Sequence, residues 1–119
     1  MIDEGVLEEL RVSVEGDVAF VRDLVDAYVS DSAEQISGIE AALAAGDAEA
    51  LVRPAHTLKS SSATLGAMEL SATARTLEMA ARAGDLSDGD TQRASAAVRG
   101  EWEAATAALK EWVARSAPA

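Results

Sequence analysis

The sequence predicts an all-α fold, an antiparallel up-down-up-down four-helix bundle with a short additional N-terminal helix. Three observations predict it. Apolar residues recur at spacings of three and four along nearly the whole chain, the period of one helix face. The apolar volume comes mainly from Ala, Leu, Val and Ile, with aromatics at only 3%. Such side chains suit helices packed closely on helices better than a sheet, which favours β-branched and aromatic residues. Gly and Asp fall between the periodic segments, where one helix stops and the next is capped, and turns that short join antiparallel neighbours. The 119 residues suffice for a single core, so residues 1–119 read as one domain.

The elements follow in order. Residues 2–14 predict a short amphipathic helix carrying Ile2, Val6, Leu7 and Leu10, a lid for the bundle. Gly16 and Asp17 punctuate, with Asp17 placed to cap a long helix to Ala45. Its stripe is Val18, Val21, Val25, Tyr28, Ser32, Ile36, Ile39 and Leu43, with Gly38 a weak point inside it. Gly46 ends that helix and Asp47 caps the next, residues 48–65, whose stripe is Leu51, Ala55, Leu58, Ser62 and Leu65. Gly66 breaks it. A fourth helix to Ala83 points Leu70, Ala74, Leu77 and Ala81 inward and stops at Gly84. The segment GDLSDGD reads as a turn, and a fifth helix then carries Val98, Trp102, Ala105, Leu109 and Trp112.

Composition excludes several functions. A net charge of −11, from 21 acidic and 10 basic residues, repels phosphate backbones and anionic membranes, so neither nucleic acid nor membrane is an expected partner. The absence of cysteine removes disulfides, zinc–thiolate sites and thiol nucleophiles. One histidine is too few for the multi-histidine metal sites of helical bundles, and no metal site is expected. No apolar run approaches the ~20 residues of a membrane span, and the start MIDEGVLEEL lacks the basic and apolar regions of a signal peptide. A cytoplasmic protein is expected.

The third helix carries the chemistry. At about 100° per residue its stripe falls within roughly 40° of one direction, and His56 lies roughly 140° away from it. His56 therefore points away from the core. Arg53, Ser60 and Ala63 share its neighbourhood, and Lys59, one of two lysines in the chain, sits one turn on at the boundary. His56 thus occupies a small cationic patch on an otherwise acidic protein, beside small residues that let a partner's backbone approach. Neutral imidazole attacks phosphorus through a ring nitrogen, and an imidazole titrating near pH 6.5 offers that form at cell pH. Lys59 can neutralise part of the charge of a phosphoryl group carried there.

The run Ala55-His56-Thr57-Leu58-Lys59-Ser60-Ser61-Ser62-Ala63-Thr64-Leu65-Gly66-Ala67 closely resembles the signature of histidine-containing phosphotransfer (HPt) domains of multistep phosphorelays, A-H-x-L-K-G-S-S followed by Gly-Ala. Leu77-Glu78, Ala81-Arg82 and Gly84-Asp85 also look like that family's next helix and turn. The resemblance implies a four-helix bundle that exposes His56 as phosphoryl acceptor, assisted by Lys59, with Gly66 closing the motif helix. It implies a phosphocarrier without kinase activity of its own, taking the group from one response-regulator receiver domain and giving it to another. A hybrid or sensor histidine kinase stands upstream, and Mg²⁺ is expected on the receiver. A monomer is expected. Ser60 departs from the pattern, which most often has glycine there to admit the partner closely.

Other readings are weaker. A dimerising sensor-kinase core normally carries a proline after its histidine, whereas Pro54 precedes His56, and no glycine-rich ATP site is present. A calcium loop fails because LSDGDTQRAS lacks the ligand register and terminal Glu. A non-catalytic scaffold with an incidental histidine is the remaining alternative. Trp102 and Trp112 lie on the core stripe and read as packing. Phe20 falls roughly 130° off its helix's stripe, and either the N-terminal helix covers it or it joins Arg53, Ser60 and Ala63 in a receiver-docking surface. Pro54 is expected to remove a backbone hydrogen bond and kink the helix just before His56.

Overall fold

The computed structural model describes residues 2–116, which form five helices and no strand. They are α1 (Glu4–Ser13), α2 (Val18–Ala45), α3 (Ala48–Thr64), α4 (Met68–Ala83) and α5 (Gly89–Ser116). Each of α2 to α5 packs on the next, and α5 closes back on α2, giving a four-helix bundle 49 Å long and 21 Å across with α1 added at one end.

The predicted punctuation sets the boundaries. Asp17 accepts a hydrogen bond from the Phe20 amide and Asp47 from the Ala50 amide, satisfying donors that a helix N-terminus leaves without partners. α1 is shorter than expected because Asp3, not the preceding chain, caps it through the Gly5 amide. α5 starts earlier, at Gly89 inside the expected turn, where the Asp88 carbonyl accepts from the Gln92 amide and begins the helical ladder. Gly46 and Gly84 end α2 and α4 in the left-handed conformation.

Gly66 does more than end α3. Its φ is +82°, and a Cβ there would sit 2.6 Å from the Asp3 carbonyl oxygen. The Asp3 amide donates to the Gly66 carbonyl at 2.7 Å, so this glycine is where the N-terminal segment docks on the bundle.

The core divides along the axis. Ile36, Ile39, Leu51, Leu58, Leu70, Leu77 and Val98 fill the middle. Leu7, Val21, Val25, Tyr28, Leu65, Leu109 and Trp112 fill the end that α1 covers. The stripe of α3 is buried as predicted. Trp102 is only half-buried, and its indole N–H donates to the buried Ser32 hydroxyl at 2.7 Å. α3 runs unbroken through Pro54, whose ring packs over Gly38 of α2, leaving 3.6 Å between its Cβ and the place a Gly38 Cβ would take. The two residues that looked like separate weak points face each other. No described helix is long and apolar enough to cross a membrane.

Candidate functional site

α3 is held from both sides by polar contacts that fix its rotation. Behind it, the buried Tyr28 and Ser62 hydroxyls meet at 2.8 Å, and burial raises the Tyr28 phenol above its ordinary pKa against the smaller effect of that hydrogen bond. On the α4 side, the Ser71 hydroxyl donates to the Lys59 carbonyl at 2.8 Å. With its core stripe clamped in this way, α3 presents His56 outward, its side chain 53% exposed.

The ring is not free to turn. Nδ1 lies 2.9 Å from Oε2 of Glu78 on α4. Glu78 is buried, 7% exposed at its side chain, with His56, Lys59 and Arg82 gathered around its carboxylate. The Arg82 guanidinium donates to the same oxygen through Nε at 2.9 Å, with Nη2 at 2.8 Å. The Lys59 ammonium is 2.7 Å from Oε1. Lys59 is the main reason that the Glu78 carboxyl is lowered to about 2; desolvation opposes the shift, and hydrogen bonds from Arg82 and His56 add to it.

An ionised carboxylate can only accept. Nδ1 of His56 therefore carries the hydrogen in this contact, and in the neutral ring the lone pair belongs to Nε2, the nitrogen away from Glu78. The arrangement fixes one imidazole tautomer and leaves a nucleophilic nitrogen in the open, with two permanent cations against one carboxylate beside it.

The structure brings together most of the residues singled out from the sequence. Arg53 and Ser60 are exposed one turn to either side of His56, and Ala63 is half-buried on the α4 side. Lys59 is not a bare member of a cationic patch as expected, because Glu78 engages its charge. Phe20 is not covered by α1; it is 46% exposed. Nor does it join the site. Pro54 against Gly38 and Ser62 against Tyr28 place His56 opposite residues near 35 of α2, so Phe20 lies about 15 residues, or roughly 22 Å, along the axis.

Sequence reasoning missed Glu78 and Arg82 as site residues. Their signal was present: Glu78 directly follows the stripe residue Leu77 and precedes Arg82 by four, a spacing that forms helical ion pairs. Nothing local showed that the pair would turn toward α3.

Comparison with known proteins agrees with this geometry. The family model of the Hpt domain matches residues 23–112. The crystal structure of histidine-containing phosphotransfer protein B (HptB) from Pseudomonas aeruginosa PAO1 is similar over 96% of this chain and 95% of that one, at 32% sequence identity and a TM-score of 0.82. No curated protein sequence matches significantly. The chain belongs to the Hpt domain family, whose members are histidine phosphocarriers of phosphorelays.

Proposed function

Starting from that membership, we propose that this chain acts as one Hpt domain, a cytoplasmic monomer that takes a phosphoryl group on Nε2 of His56 from the phosphoaspartate of one receiver domain and gives it to the aspartate of another. The observation that carries the proposal is the Glu78 contact at Nδ1 of a half-exposed ring, which leaves Nε2 as the nitrogen that bears the lone pair in the neutral form.

The chemistry balances on these residues. The Nε2 lone pair attacks phosphorus, the bond from phosphorus to the aspartyl oxygen breaks, and that oxygen leaves with the electron pair as carboxylate. The ring becomes cationic as the N–P bond forms, and the Glu78 carboxylate stabilises the charge through Nδ1–H, a role like that of a carboxylate behind any nucleophilic imidazole. Lys59, 30% exposed, is near enough to shift from Glu78 toward the incoming phosphoryl oxygens. Rigid positioning is most of what such transfer asks of a protein. Mg²⁺ and the acceptor aspartate belong to the receiver in this account, and a hybrid or sensor kinase loads the relay upstream.

The test is transfer of labelled phosphate from a phosphorylated receiver. The wild-type chain takes acid-labile, base-stable label and His56→Gln takes none. Full labelling of His56→Gln leaves the scaffold reading in its place, and self-labelling of the pure chain with ATP and Mg²⁺ overturns the carrier role.

A further inference from the structure

The two flanks of His56 differ in charge and in apolar surface. On the α2 side the groove beside Thr57 is lined by Asp31, Glu34 and Gln35, with Asp31 and Glu34 exposed and Arg53 of α3 as the cation among them. On the α4 side Glu78 turns toward α3, and Arg75 and Arg82, three residues before it and four after, rise on the same side of the helix. Both arginines are exposed. Next to Glu78 on the outward side stands Met79, 59% exposed, and Met68 continues that face at 45%.

This asymmetry extends through the molecule. α3 and α4 carry Arg53, Lys59, Arg75 and Arg82 against Glu49, Glu69 and Glu78, so they hold four of the chain's 10 basic residues but three of its 21 acidic ones. α3 and α4 together are therefore net +1, and the rest of the chain carries −12. A partner that approaches His56 with a cluster of carboxylates is repelled from the α2 flank and attracted by the α4 flank. Met79 supplies what charge does not, a flexible apolar contact that adapts to a partner surface.

We propose that the outward face of α4, with Arg75, Met79 and Arg82, is the wall against which the phosphoryl-exchanging partner seats, and that this partner presents an acidic rim around its phosphorylated aspartate. The inference rests on the receiver reading above and deepens it: docking leans from His56 toward α4, not toward α2. Arg82 has a double part, since its guanidinium also holds Glu78, so Arg75 and Met79 are the residues that isolate docking from chemistry.

The test compares two donors on full-length chain. Phosphoramidate is a small donor that reaches His56 without docking; the other donor is a phosphorylated receiver domain, chosen from a panel as one that labels the wild-type chain. Arg75→Glu and Met79→Asp are expected to take label from phosphoramidate at the wild-type rate, while KM for the phosphoreceiver rises tenfold or more and kcat changes by less than threefold. Charge reversal on the other flank, Glu34→Lys, is expected to leave that KM within twofold or lower it. A rise in KM for Glu34→Lys with none for Arg75→Glu overturns the inference, as does equal transfer by all the variants, and neither result touches the receiver reading. A wild-type chain labelled by phosphoramidate but by no receiver of the panel overturns the receiver reading and this inference together.

Discussion

Glu40 and Glu78 each join two helices through basic side chains, and their surroundings give them different consequences. Glu40 on α2 meets Arg99 on α5 in a bidentate pair with both N···O distances at 2.7 Å. Glu78 on α4 meets Arg82, Lys59 and His56 at similar distances. Glu40 is 40% exposed and Arg99 48%, so water screens the pair and competes for its hydrogen bonds. Arg99 also lies over the Trp102 ring at 5.8 Å, a packing contact that outlasts the loss of Glu40. Glu78 is shielded by its partners, and one of them is the proposed phosphoryl acceptor. Contacts of similar length therefore staple helices in the first place and, in the function proposed above, orient a nucleophile in the second.

Removing each carboxylate is the sharpest way to break the comparison. Glu78→Ala releases the imidazole, frees two cations and is expected to slow phosphoryl transfer by at least ~100-fold, at the low end of what positioned proton-handling groups contribute. Urea unfolding of the same variant is expected to show a loss of about 1–3 kcal/mol, the cost of breaking a shielded charged hydrogen-bond network. Transfer within threefold of wild type would mean that Glu78 is only a staple, like Glu40.

Lys59→Ala tests the second partner. Loss of its charge is expected to slow transfer about tenfold, roughly 1.4 kcal/mol of transition-state stabilisation, with helicity by circular dichroism unchanged. Because Lys59 helps to hold Glu78, the double variant with Glu78→Ala is expected to be slower than either single one by less than the product of the two effects.

Acid gives a third separation. The folded-state carboxyl of Glu78 is depressed to about 2 from the ordinary 4.5. A depressed carboxyl contributes stability that is fully present above the unfolded value and is lost as pH falls through the folded one. The wild-type chain is therefore expected to lose stability between about pH 5 and 2, and Glu78→Gln to lose less over that window, by urea midpoints at stepped pH. Parallel curves would remove the shielded carboxylate from the account. Hydrogen bonding from Arg99 lowers Glu40 too, but its exposure leaves a smaller slope.

The smallest effect belongs to Glu40→Gln, whose stability is expected to stay within ~1 kcal/mol of wild type, with unchanged transfer. Slowed transfer in this variant would show that the α2–α5 seam is coupled to His56.

Much of this was legible in the sequence, and the reason is local. The core stripe of α3, the Asp17 and Asp47 caps and the outward direction of His56 all depend on the helical period and on side chains within four residues of one another. What stayed hidden depends on helices meeting. Pro54 reads alone as a defect, and its packing over Gly38 exists only once α2 and α3 are paired in register. Phe20 reads by its angle on the wheel as either covered by the N-terminal helix or open to a partner; only the packed helices show it uncovered, and its distance from His56 is set along the axis, which a wheel discards. Lys59 reads as a free cation because the carboxylate that engages it is 19 residues away on another helix.

The central claim is that Glu78 sets the His56 ring so that Nε2 is the phosphoryl acceptor. Nitrogen-15 NMR of the imidazole at neutral pH tests it most directly, by reading which ring nitrogen carries hydrogen and, after labelling with phosphoramidate, which one is coupled to phosphorus-31. The account predicts hydrogen on Nδ1 and phosphorus on Nε2 in the wild-type chain, with the hydrogen distributed over both nitrogens in Glu78→Ala. Hydrogen held mainly on Nε2, or phosphorus on Nδ1, would contradict it.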